Sequence, residues 1–162
     1  MKVGTSGYIS AQLGTFDEVR KLTKYETLFH LHKNLVPNAG LDWMHAQLYI
    51  NVAAGTRGAN YIAVSETTSV PDETWTTLTG EITTGGLARA TASPVASHVA
   101  GTNVSIIEKT FVASANFPAV QVVGLFNASS GGTLAHVGRF PNSADVQNGQ
   151  NFRVLCTINH GG

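Results

Sequence analysis

Short runs of β-branched and aromatic residues fill most of the chain, with Gly, Pro, Asn and Ser between them. That pattern predicts strands separated by turns. Over 24–33 the side chains alternate, Tyr25, Thr27, Phe29 and Leu31 on one face and Glu26, Leu28, His30 and His32 on the other. A spacing near three through Val19, Leu22, Tyr25, Leu28 and Leu31 also fits a helix over 17–31. The β preference of Thr23, Tyr25, Thr27 and Phe29 favours the strand. Further strands are predicted at Tyr61–Ser65, 87–92, 102–113, 121–127, 133–140 and 152–158, with a short one at 75–78. In 102–113, Val104, Ile106, Thr110 and Val112 share one face. The firmest local signal is Ser129-Ser130-Gly131-Gly132 between two apolar runs, which predicts a β-hairpin. Val70-Pro71-Asp72-Glu73 and Asn148-Gly149 read as turns, and Pro94 marks an edge or a bulge.

One segment reads as a helix. Pro37 stops the chain before it, and Asn38 suits the N-cap. Leu41, Met44 and Leu48 then form one apolar stripe, with Asp42 in the first turn and an end before Gly55. Many strands with one short helix predict an all-β single domain, a β-sandwich of jelly-roll type or a related barrel. Residues 1–33 are expected as an N-terminal arm and first strands packed on partners, and 34–162 as the β-sandwich core.

Composition narrows the function classes. Of 162 residues only 12% are charged, against about 25% in a typical soluble domain, and the formal net charge is +0. No basic footprint for nucleic acid exists in such a chain. A hydrophobic fraction of 43% is too high for a disordered protein. No apolar run reaches the roughly 18 residues of a membrane-spanning helix. Met1-Lys2-Val3-Gly4 lacks the apolar core of a signal peptide, so synthesis in a cytoplasm is expected. A polar, weakly charged surface suits assembly, because charged residues are depleted at the cores of protein interfaces.

Catalytic motifs are scarce. Ala54-Gly55-Thr56-Arg57-Gly58 lacks the Lys-Ser/Thr of a phosphate loop, and neither a nucleophile elbow nor a helical zinc motif is present. Asp17-Glu18 and Asp72-Glu73 read as solvated turn residues. Cys156 is the single cysteine and reads as a small buried hydrophobe, which excludes an intrachain disulfide. His30 and His32 would project from one strand face, a spacing that suits zinc or nickel given further ligands. Their ordinary reading is as exposed or interface histidines. Protonation of all six histidines below about pH 6 would add positive charge and make an assembly acid-sensitive. No catalytic residue, cofactor or metal is expected. Partner-contact candidates are Tyr8, Ile9 and Phe16 as apolar anchors, Trp43 on the helix, and Trp75 in a Thr-rich surface segment. A glycan-binding module would use Trp75 and Tyr61 as stacking surfaces.

Several segments, in order, resemble small tailed-bacteriophage structural proteins. Asn34-Leu35-Val36-Pro37-Asn38-Ala39-Gly40-Leu41-Asp42 is similar to the Asn-Leu-Val-x-Asn-x-Gly-Leu lead-in to their short helix. Tyr61-Ile62-Ala63-Val64-Ser65, the Thr/Pro-rich turn after it, and Leu78-Thr79-Gly80-Glu81-Ile82 resemble the segments that follow. Val123-Gly124-Leu125-Phe126-Asn127 with Gly131-Gly132-Thr133-Leu134 looks like their Gly-rich hairpin. The chain departs from the pattern at Ser65-Glu66-Thr67 and Val122-Val123, and residues 1–33 lie outside it. The resemblance implies a virion structural protein and no enzyme. Its leading form is a capsid decoration (cement) protein, a dimer or trimer on the outer surface of the head. Binding the assembled major capsid protein would stabilise the shell, with no nucleic acid or membrane partner. The alternatives are a tail, collar or baseplate/fibre component, or a glycan-binding receptor module.

Overall fold

The last strand shows how the sequence pattern becomes a core. Phe152, Val154, Cys156 and Ile158 are buried and alternate with half-exposed neighbours. That period of two places one face inward and allows a pairing strand on each side. The computed structural model describes residues 5–17, 22–49, 58–92, 97–98 and 104–160. Its elements are β1 (Thr5–Asp17), β2 (Leu22–Asn34), α1 (Asn38–Tyr49), β3 (Tyr61–Ser65), β4 (Ala90–Thr91), β5 (Ser97–His98), β6 (Val104–Val112), β7 (Phe117–Phe126), β8 (Leu134–Val146) and β9 (Asn151–His160). A five-stranded sheet runs β2-β1-β9-β6-β5 and a four-stranded sheet runs β4-β3-β7-β8. Every pairing is antiparallel. The chain is all-β with one short helix, as the patterning predicts.

The two sheets share one core. Ile9, Ala11, Phe29, Phe111, Phe152 and Val154 from the first sheet meet Ile62, Val64, Val123, Leu125 and Phe140 from the second. Phe140 stacks on Phe29 at 4.6 Å and meets Phe152 edge-on at 6.5 Å, so three aromatic rings tie β2, β8 and β9 together. The far face of the four-stranded sheet is covered too. Ala63, Val122, Phe126, Leu134 and Val137 form a second cluster with Leu78 from the connection after β3, and Trp75 packs against it. Leu35 and Val137 exchange backbone hydrogen bonds, which joins the end of β2 to β8.

Several expectations change. Within the segment expected as an arm and first strands, β1 lies between β2 and β9, with Ile9 and Ala11 in the core. The strand over 24–33 exists, but its alternation is broken by register shifts opposite Ile9–Gln12. Thr27 therefore pairs with Gln12, whereas Phe29 pairs with Ala11 and is buried. In β6 the buried set is Ile107 and Phe111, and Ile106 and Val112 turn outward, because the bulky Phe111 sits opposite Phe152. The predicted strand at 87–92 shrinks to Ala90–Thr91, and 75–78 is irregular. α1 docks through the buried Gly40, while Leu41 is exposed. Pro94 lies outside the described residues.

Candidate interaction surface

The outer face of the five-stranded sheet carries no covering layer among the described residues. Directly opposed residues in antiparallel strands share a face. Opposite pairs on this outer face are Gln12–Thr27 and Gly14–Tyr25 between β1 and β2, Gln12–Arg153 between β1 and β9, and Thr110–Arg153 between β6 and β9. The register therefore lines up polar side chains from four strands.

Those side chains form a ladder. Arg153 donates from Nε and Nη2 to the two Glu108 oxygens at 2.7 Å each, and from Nη1 to Gln12 Oε1 at 3.0 Å. Gln12 Nε2 in turn donates to Thr27 Oγ1 at 3.2 Å. The Glu108 hydrogen bonds hold the Arg153 guanidinium above its ordinary pKa, against the opposing effect of burial. The bidentate geometry fixes both side chains in one plane. Tyr25 lies beside the ladder, with Arg153 Cζ 6.0 Å from its ring centre, at the outer reach of a cation–π contact. Phe16, Tyr25, Ile106 and Val112 are the exposed large hydrophobics of these strands. A face of satisfied polar groups among exposed apolar side chains is suited to contact with protein rather than to chemistry.

A second charged feature sits at the other sheet. Arg89 pairs with both oxygens of Glu81, at 2.8 and 2.5 Å, and its guanidinium lies 3.5 Å from the Phe126 ring centre. Its Nη1 also donates to the carbonyls of Ala128 and Gly131, so Arg89 ties the β7–β8 hairpin loop to the segment before β4. A pocket of about 290 Å³ opens beside it, lined by Glu81, Thr83, Ala88, Arg89, Ser129, Ser130 and Gly131.

The predicted contact residues separate. Phe16 is exposed, and Tyr8 is half-buried on the outer face opposite Thr157. Ile9 is corrected: it is 2% exposed in the core, so its apolar surface is already used within the chain. Trp75 and Tyr61 both pack against the second cluster, so neither stands free as a stacking platform. The side chains of Trp43, His30 and His32 lie outside the described residues. His136 is buried, and the described residues contain no group of three or more His, Cys, Asp or Glu able to hold a metal. Asp72-Glu73 is exposed, as expected for turn residues. The ladder itself had no sequence signal, since Arg153 and Gln12 are 141 residues apart.

No curated protein and no solved structure matches the chain. One family model does, that of the Podophage GP4 fiber I protein gp80, over residues 37–157. This span covers well over half of the chain and includes α1 and all but the last residues of the strands after it. The protein therefore belongs to the Podophage GP4 fiber I protein gp80 family, a family of phage virion structural proteins and not of enzymes.

Proposed function

We propose that this chain is a structural subunit of a podophage fibre, assembled with copies of itself and with neighbouring virion subunits. The observation that carries this reading is the family match over residues 37–157. It favours the fibre alternative over a cement protein on the head, because fibre is the word attached to the family. The outer sheet face, uncovered among the described residues, and the low charge support a life among protein neighbours. The function is mechanical: a rigid two-sheet body holds a contact surface in place, with no reaction to perform.

Labelling the chain in intact particles and imaging them by electron microscopy tests this. Label confined to fibres or other tail appendages is the expected result. Label spread over the head lattice would overturn it and return the chain to the major capsid protein as a cement subunit.

A further inference from the structure

The far end of the β1–β2 hairpin stands alone. β1 parts from β9 after the Gly14–Asn151 pair, so Thr15, Phe16 and Asp17 pair only with Lys24, Thr23 and Leu22. Thr15, Phe16, Lys24, Tyr25, Glu26 and Thr27 are all exposed, so neither face of this ribbon has a layer against it among the described residues. A two-stranded ribbon by itself is marginal in water. β2 is also the edge of the five-stranded sheet, and along 22–27 its outer side has no strand paired to it among the described residues. The register shifts lie farther along, opposite Ile9–Gln12, so 22–27 is regular strand.

Charges on an edge strand often protect it from pairing. Here they do the opposite for one partner. Lys24 and Glu26 have opposite signs and flank Tyr25, and neither makes an ion pair among the described residues. We propose that this edge pairs antiparallel with β2 of a second copy, about a two-fold axis through Tyr25. In that register Lys24 faces the second copy's Glu26, Glu26 faces its Lys24, Thr23 faces its Thr27, and the two Tyr25 backbones are opposed while each ring lies over Gly14 of its own β1. Ion pairs and Thr–Thr pairs are favourable cross-strand combinations. Moving the axis to Lys24 or to Glu26 sets like charges against each other, so the charges select one register. The contact is isologous and closes as a dimer. It joins two five-stranded sheets into one and gives each exposed ribbon a third and a fourth strand. Thr27, the end of the outer-face ladder, then lies beside the second copy's Thr23. The pairing belongs to the chain itself and stands apart from where a particle carries it.

Sedimentation of the purified full chain over a range of concentrations tests the proposal, with circular dichroism confirming that each variant folds. A reversible dimer is expected. Lys24→Glu or Glu26→Lys alone turns two attractive pairs into two repulsive ones and weakens dimerisation about tenfold or more. The double exchange Lys24→Glu with Glu26→Lys restores it to within about threefold. Tyr25→Cys adds a geometric readout: opposed cysteines give a covalent dimer under mild oxidation, whereas Thr15→Cys on β1 does not. A chain that stays monomeric overturns the proposal. So do single variants that dimerise as well as the parent, and a double exchange no better than the singles.

Discussion

Gly40 of α1 rests on the Ala135 backbone of β8: a Cβ added at Gly40 would come within 3.0 Å of the Ala135 carbonyl carbon and Cα, and nearer still to the carbonyl oxygen. Backbone cannot swing aside as a side chain can, so Gly40→Ala must lift the helix from the sheet. Overpacking of this kind costs about 1–3 kcal/mol. The gain in helix propensity returns up to about 1 kcal/mol, leaving a net loss. Denaturant unfolding should show a lowered midpoint for Gly40→Ala. Leu41→Ala should stay within about 0.5 kcal/mol of the parent, because Leu41 is exposed. If Leu41→Ala were the more damaging, the apolar stripe and not Gly40 would be the docking face.

The Arg89–Glu81 pair predicts a local as well as a global effect. Their side chains are 9% and 18% exposed, so removing one partner leaves a largely buried charge. Glu81→Gln should destabilise by about 2–4 kcal/mol, less than a fully buried pair would because Glu81 keeps some solvent contact. Arg89→Met also frees the carbonyls of Ala128 and Gly131. Limited proteolysis should therefore cut Arg89→Met within 127–133 faster than the parent. An uncut loop would show that the hairpin holds its shape without the guanidinium.

That hairpin was legible in advance because its turn needs Gly131 and Gly132 at φ of 58° and 74°, which glycine alone adopts freely. β9 was legible for the other simple reason, an unbroken period of two that runs to buried Ile158. β1 was not. Gly7, Ser10 and Gly14 are weak strand formers, and the segment extends because β2 and β9 flank it. The bulges in β2 are set by tertiary pairing, so the alternation through Tyr25, Thr27 and Phe29 misassigned a face. The ladder was hidden for the same reason: it depends on register between strands far apart in sequence. The outward turn of Ile106 and Val112 depends on which face meets Phe152, and that too is decided between strands.

Asp72 gives a prediction at acid pH. Its carboxylate accepts from the Thr74 hydroxyl and from the Thr74 backbone N–H, at 2.5 and 2.7 Å. These bonds, the hydroxyl first, hold its pKa below the ordinary 3.8. A depressed carboxylate pKa favours the folded turn at pH above 3.8, and that contribution is lost as pH falls through the lower folded value. NMR titration of Asp72 should give a midpoint below 3.8. Thr74→Ala should move it upward, and Thr74→Ser should leave it low. An unchanged midpoint in Thr74→Ala would assign the shift to the Thr74 backbone and Trp75 bonds instead of the hydroxyl.

Cys156 gives the prediction at the alkaline end. It sits between Ile9 of β1 and Ile107 of β6 and is 2% exposed. Burial pushes its thiol up from 9.0 to about 12, since the thiolate would be stranded among apolar neighbours. A folded pKa above the unfolded one means that the thiol's contribution is intact below pH 9 and is lost as pH rises toward about 12. Within that window the loss approaches about 1.4 kcal/mol per pH unit. The stability gap between the parent and Cys156→Ala should be constant below pH 9 and narrow above it. Other groups titrate equally in both proteins, so the difference isolates the thiol. A thiol reagent at neutral pH should label the unfolded chain and leave the folded one untouched. Rapid labelling of the native protein would mean that β1 opens from β9 under native conditions, which the burial of Ile9 and Cys156 argues against.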